Sequence, residues 1–264
     1  MAFTPISKSA FGGKRFKRQS SYMFAAKDTV TPLVTKELAR VATLMPIAFA
    51  RIQDVLVPVA LVGLSSGTNL FVTPDGRWIG RYIPLVYRSY PFVLAQGPED
   101  KRILCFDEDS GLLSESEGEP FFQENGEPTQ AVNETLEFLS QLAANRQSIQ
   151  RLCALLDKQA LIEPWPIKLK DQEDSPERPL DGLYRVNESA FNQLDEKALY
   201  LLHRTGAFPL IYCQLISMQH LPVLGEMAAA RRRAEQDAAL PKNKAGEIDL
   251  SFLADDTSIS FENL

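Results

Sequence analysis

The chain has 264 residues, 45% hydrophobic and 23% charged, an ordinary globular composition that excludes collagen-like, disulfide-scaffold and wholly disordered classes. Its 28 Lys and Arg against 34 Asp and Glu leave a net charge of -6, without the cationic excess a dedicated nucleic-acid binder needs. Cys105, Cys153 and Cys213 are dispersed and form no Cys-x-x-Cys pair, which argues against a disulfide framework or a thiolate metal site and for a reducing, cytoplasmic setting.

Residues 1–29 carry Lys8, Lys14, Arg15, Lys17 and Arg18 with no acid before Asp28, and no sustained apolar stretch follows. They read as a flexible basic arm, not a secretory signal. An α+β core is expected over 30–170. Thr31 followed by Pro32 predicts a capped helix start, with Leu33, Val34, Leu38, Val41 and Met45 at helical spacing and Pro46 as its end. Residues 55–62 predict a buried strand. Asn69 to Thr73 predicts another, turned by Thr73-Pro-Asp-Gly76 into a hairpin that returns at Trp78. One or two helical turns should start near Pro84, and residues 91–95 and 102–106 should be strands joined by a turn at 97–100. With no long crossover between them, these strands predict an antiparallel sheet of hairpins.

Between 99 and 137 acids dominate, and the segment reads as a solvated loop; Asp107-Glu-Asp109 lacks the spacing of a calcium loop. From Thr129, the positions of Val132, Leu136, Leu139, Ile149, Leu152 and Leu156 predict a long amphipathic helix or a broken pair. Residues 161–169 should be extended. Residues 171–179 form a charged, proline-containing linker, and 180–264 a mainly helical region packing on the core. In it Asn187 and Asp195 should cap helices, the second stopping at Gly206. An apolar helix is expected at 208–224, an exposed one with Arg231, Arg232 and Arg233 at 228–239, and a docking strand at 248–253.

Two charge-free stretches approach the roughly 20 residues of a membrane span. The first, 55–74, contains Pro58 and a polar cluster at 65–69; the second, between Arg204 and Glu226, contains Pro209, Gln214, Ser217, Gln219, His220 and Pro222. Both read as buried elements, and no membrane span is expected.

Catalytic patterns are sparse. His203 and His220 have no metal-ligating residue three or four positions away, and Cys213 lies too far along a helix from His220 to pair with it. Phosphate-binding glycine loops are absent. Gly63-Leu-Ser-Ser-Gly67 matches a nucleophile elbow by letter, but a strand is expected after Ser65 where the elbow needs a helix. No cofactor and no metal site is expected. By composition the best ligand candidate is Arg88, set among Tyr82, Tyr87, Tyr90 and Phe92, where a guanidinium can stack on rings or fork onto a carboxylate.

Several segments, in order, resemble the SapC family of bacterial proteins, named for a gene linked to surface-layer protein. They include Pro46-Ile-Ala-Phe49, Val59-Ala-Leu-Val-Gly-Leu64, Asn69-Leu-Phe-Val72, Asp75-Gly-Arg-Trp78, Tyr82-Ile-Pro84, Tyr87-Arg-Ser-Tyr-Pro-Phe92, Leu104-Cys-Phe-Asp107 and Asn125-Gly-Glu-Pro128. The likeness resumes at 183–194 and 206–224 and covers most of 30–225. One departure is Gln214-Leu215, where the family is expected to carry His-Leu. The resemblance implies a bacterial protein with no well-established activity, and its polar residues Asn69, Asp75, Arg88 and Asp107 are expected to converge at one edge of the sheet.

The expected function is an accessory or binding protein in the cytoplasm, acting on a peptide or protein client linked to the cell surface. Its ligand-binding residues would be Asn69, Asp75, Trp78, Tyr82, Arg88, Tyr90 and Asp107. The alternative is an enzyme modifying peptides or aromatic metabolites, with Asp75 or Asp107 as base and Arg88 as carboxylate clamp.

Overall fold

The structure, a computed structural model, describes residues 3–97, 101–169 and 178–239. In chain order the strands are β1 (Phe3–Pro5), β2 (Arg15–Phe16), β3 (Val30–Pro32), β4 (Ile47–Ile52), β5 (Val55–Leu61), β6 (Phe92–Gln96), β7 (Arg102–Asp107), β8 (Leu113–Ser114), β9 (Glu119–Pro120), β10 (Ile162–Pro164), β11 (Ile167–Leu169), β12 (Arg178–Leu180) and β13 (Leu183–Val186). The helices are α1 (Lys8–Phe11), α2 (Leu38–Ala42), α3 (Leu85–Arg88), α4 (Gln130–Lys158), α5 (Glu188–Asn192), α6 (Glu196–Thr205), α7 (Phe208–Ser217) and α8 (Leu221–Ala239). The fold is α+β: antiparallel sheets come largely from the N-terminal half, with one long helix and a set of C-terminal helices.

The expected sheet is divided between two larger ones. The first has the order β10-β13-β4-β5-β3. Its β4–β5 hairpin turns through Gln53 and Asp54, both at positive φ (49° and 63°), the backbone a tight two-residue hairpin needs. Ile47 to Ala50 and Leu56 to Leu61 are buried at every position, so both faces of these strands are covered. Helix α7 packs toward β4 and β13, and α4 toward β5. Pro58 is tolerated inside the sheet because its carbonyl accepts from Leu33 N at 2.9 Å on the side where β3 has just ended. Its missing N–H therefore breaks no ladder bond.

The second sheet, β1-β7-β6, is built on the hairpin of β6 and β7. A small sheet β8-β2-β9 and the pair β11-β12 complete the strands. Two hydrophobic cores result. One is mainly aliphatic and centred on the five-stranded sheet; the other gathers Phe11, Phe16, Phe92, Phe106 and Phe121 beside the three-stranded sheet. Helix α4 runs unbroken for 29 residues and serves both, with Val132, Leu139 and Leu142 in the aromatic core and Ile149, Cys153 and Leu156 in the aliphatic one.

Several expectations need correction. Thr31-Pro32 does not start a helix: Thr31 is buried in β3, an edge strand, and Pro32 turns its nitrogen away from β5, where no N–H is wanted. The helix is the short α2, preceded by a 3-10 turn at Thr35–Glu37. The N-terminal residues from 3 onward are not a loose arm, because β1 pairs with β7 and Phe11 and Phe16 are buried in the aromatic core. The strand expected at 69–73 is reduced to one bridge between Val72 and Trp78, although the turn forms, with Gly76 N donating to Thr73 O at 2.8 Å. Within the acidic segment, β8 and β9 flank β2 and Phe121 is fully buried.

Asn187 and Asp195 cap α5 and α6 as expected, and Gly206 ends α6 in the left-handed conformation. The helix expected over 208–224 breaks at a 3-10 turn, Met218–His220, before α8. On α8, Arg231 is not simply solvated: its Nη1 donates to Asn69 O at 2.9 Å and Val72 O at 3.1 Å. The departing residue Gln214 is buried and structural, its Nε2 donating to Ile47 O at 3.2 Å and its Oε1 accepting from Val186 N at 2.9 Å. Beside it Ser217 Oγ accepts from Ile47 N at 2.8 Å, so α7 is tied to β4 at both backbone groups of one residue. No single helix among the described residues is long and apolar enough to cross a membrane. The docking segment expected at 248–253, residues 98–100 of the expected turn, and most of the linker at 171–179 lie outside the described residues.

Candidate functional site

The segment from Tyr82 to Phe92 links the hairpin around Asp75 to β6, and a buried carboxylate holds it. Glu37 Oε2 accepts from the Tyr82 hydroxyl at 3.1 Å and from Leu85 N at 2.9 Å, and its Oε1 accepts from Val34 N at 3.0 Å. Burial pushes Glu37 above the ordinary carboxylate range, and these hydrogen bonds partly offset the rise. Burial together with the Glu37 charge pushes the Tyr82 hydroxyl up to about 12. Arg88 lies over the Tyr82 ring, 4.8 Å from its centroid, and donates from Nε to Ile83 O at 2.9 Å. Its two Nη atoms make no hydrogen bond among the described residues.

Beyond Arg88 the chain forms a ridge, Ser89 to Phe92, whose Tyr90–Pro91 peptide is cis. A cleft of about 420 Å³ opens on one side, lined among others by Arg88, Pro91, Phe16, Phe138, Gln19 and Glu134. Lys17 and Arg18 also line it, but they pair with Glu117 and Glu119. Gln19 Nε2 donates to Tyr87 O at 3.1 Å, while its Oε1 is buried and unpartnered among the described residues. The cleft thus combines aromatic walls with a guanidinium whose ends are free for a carboxylate.

On the ridge's other side lies a groove of about 350 Å³, walled by Phe24, Tyr87, Tyr90, Leu139 and Arg146. The Tyr90 ring stacks on Phe24 at 3.9 Å between centroids, with the planes 9° apart. Asp28 also lines the groove and accepts from the Tyr87 hydroxyl at 2.8 Å; burial raises both groups. Leu94, Ala143 and Arg146 continue from this groove into a neighbouring hollow of about 470 Å³ along α4, where Arg102 stands.

The seven candidates named from the sequence do not form one constellation. Arg88 and Tyr90 line the cleft, and Tyr82 supports Arg88 from below. Trp78 stacks on Phe71 at 5.3 Å and donates from Nε1 to Tyr82 O at 2.9 Å, a packing role. Asn69 is buried, its Nδ2 donating to Ala25 O at 3.0 Å and its Oδ1 accepting from Phe71 N at 3.0 Å. Asp75 sits in an exposed turn, where Thr73 and Arg77 hold it below the usual carboxylate range. Asp107 is buried, its Oδ1 accepting from Asp109 N at 3.2 Å and its Oδ2 from the Tyr90 hydroxyl at 3.4 Å. Neither aspartate lines the cleft or the groove.

Asp28 and Glu37 escaped the sequence reading. The signal for Glu37 was present: it falls three residues after Val34 and four before Val41, on the apolar stripe, where a carboxylate has to be hydrogen-bonded. Ser65 lies in a loop with no helix after it, unlike a nucleophile elbow. Burial raises all three thiols, Cys153 to about 12, which keeps them from acting as ready thiolates. Among the described residues, no three His, Cys, Asp or Glu side chains cluster to hold a metal ion.

No curated protein and no solved structure matches the chain. A SapC family model matches residues 6–224, reaching into the N-terminal segment that packs against the aromatic core, and the chain belongs to the SapC family.

Proposed function

We propose that this SapC-family protein is a binding protein whose cleft beside Arg88 takes a peptide segment presenting a carboxylate next to an aromatic or large apolar side chain. We place it in the cytoplasm, in keeping with its dispersed cysteines, and on a client destined for the cell surface, in keeping with what the family resemblance implies. One observation carries the reading: Arg88 is oriented by Ile83 O and the Tyr82 ring, yet both Nη atoms remain without a hydrogen bond among the described residues in the lining of an aromatic-walled cleft. Asp75 and Asp107, the bases an enzyme reading would need, stand outside that cleft with their carboxylates engaged elsewhere.

Peptides selected from a displayed library and titrated against the protein test this. Arg88→Ala should weaken binding by about tenfold to a hundredfold, as expected for loss of a charge-assisted hydrogen-bond pair. Arg88→Lys should recover only part of it, because an ammonium cannot fork onto a carboxylate. Unchanged binding to folded Arg88→Ala would remove the cleft from consideration.

A further inference from the structure

The 3-10 turn Met23–Ala25 brings an aromatic ring and a carboxylate to one place. Asp28 N donates to Ala25 O at 3.1 Å, and the buried Asn69 donates from Nδ2 to the same carbonyl at 3.0 Å, so the turn is held from two sides. Phe24 and Asp28 thereby stand in the wall of the groove beyond the ridge. Asp28 Oδ2 accepts from the Tyr87 hydroxyl at 2.8 Å. Its Oδ1 accepts no hydrogen bond among the described residues and is not shut away from solvent. No Lys or Arg among the described residues forms an ion pair with this carboxylate.

A half-buried carboxylate without a counter-charge is held at a desolvation cost, and its raised pKa has that cause. A cation in the groove would supply the missing charge. The wall favours the same sign, because the ring quadrupoles of Phe24, Tyr87 and Tyr90 attract cations. The groove's own guanidinium, Arg146, stands at the other end. Arg146 lines both the groove and the adjoining hollow, whereas Asp28 and Tyr87 line the groove alone. Along α4 the lining passes through Leu139 and Leu142 before it reaches Arg146, so apolar surface separates the two charges. A cationic group is thus drawn to the Asp28 end, and an apolar body can lie beyond it. At about 350 Å³ the groove is at the small end of ligand sites, which run from about 300 to 1,000 Å³, and suits a small molecule.

We propose that this groove binds a small primary amine with an apolar body, its ammonium on Asp28 beside Phe24 and Tyr87 and its body against Tyr90, Leu139 and Leu142. The site is independent of the Arg88 cleft on the other side of the ridge.

Chemical-shift titration of the full chain with hexylammonium tests it, with hexanol and hexanoate as neutral and anionic counterparts. Hexylammonium should shift the signals of Asp28, Tyr87 and Leu139 saturably. Hexanol should bind at least about tenfold more weakly, and hexanoate should leave the Asp28 signals unmoved. Asp28→Asn keeps an acceptor for the Tyr87 hydroxyl but removes the charge, so it should weaken hexylammonium by about tenfold to a hundredfold. Unchanged Phe49 and Ile149 amides would show that this variant remains folded. Phe24→Leu should weaken binding by a smaller factor. Equal affinity for hexylammonium and hexanol, or equal affinity in the parent and folded Asp28→Asn, would overturn the proposal. Equally tight binding of a blocked tripeptide with one central lysine would also overturn it, by assigning the groove to a protein side chain.

Discussion

The two ends of α4 rest on cores of different character. At its C-terminal end, Ile149, Cys153 and Leu156 enter an aliphatic core whose central strands are buried on both faces and whose helix α7 is bonded to β4 through Gln214 and Ser217. At its N-terminal end, Leu139 and Phe138 meet rings that belong to the interior and to open clefts at once, Phe16 and Phe92 among them. Beside the aliphatic core Gln214 and Ser217 tie helix to strand, whereas beside the aromatic core Arg88 keeps both Nη atoms without a hydrogen bond among the described residues.

The largest expected effect should confirm that the aromatic half is nonetheless a true core. Phe121 is fully buried and touches the rings of Phe11, Phe16, Phe92 and Phe106, so Phe121→Ala should cost about 3 to 5 kcal/mol in chemical denaturation. A loss below about 1 kcal/mol would show a region that is not consolidated by packing. Next come two buried polar ties, one within the aliphatic core and one where the two cores meet. Gln214→Ala leaves Val186 N and Ile47 O unpaired, and Glu37→Ala leaves the Tyr82 hydroxyl and two backbone amides unpaired. Each should cost about 2 to 4 kcal/mol, but only the Glu37 variant should also weaken peptide binding, because only Glu37 supports the ring beneath Arg88.

A pH series sharpens the contrast further. Burial raises Asp28 and Glu37, so the folded protein keeps protons that the unfolded chain has already released. Their contribution to stability is therefore fully present below the ordinary carboxylate values and is lost as pH rises through the raised folded values. Denaturation midpoints measured across that window should fall with rising pH, and Asp28→Asn combined with Glu37→Gln should flatten the slope. The smallest stability effect belongs to Arg88→Ala, within about 0.5 kcal/mol, since its contacts are one carbonyl and one ring face.

Local signals were legible in the sequence and non-local ones were not. Asn187, Asp195 and Gly206 each act within a few residues, and the helices they delimit stand where the pattern put them. Pro84 likewise introduces α3. Thr31-Pro32 misled because the same dipeptide suits a helix start and an edge strand, and the choice was made by pairing with β5, about thirty residues away. The pairing of β13 with β4 and of β1 with β7 lies further still from any local rule. For the site, the composition around Arg88 pointed to a segment that borders a cleft. What it could not convey was which polar side chains would be absorbed into the fold: Asn69 and Asp107 are consumed by nearby backbone groups, and Asp75 by its own turn.

The central claim is that binding belongs to the aromatic half, beside Arg88. Chemical-shift mapping of a library-selected peptide titrated into the full chain tests it most directly. The account predicts saturable shifts at Arg88, Tyr90, Phe16 and Phe138, absent in Arg88→Ala, with the amides of β4 and α7 unmoved. Shifts centred instead on the exposed Tyr212 and Ile216 of α7 would contradict it.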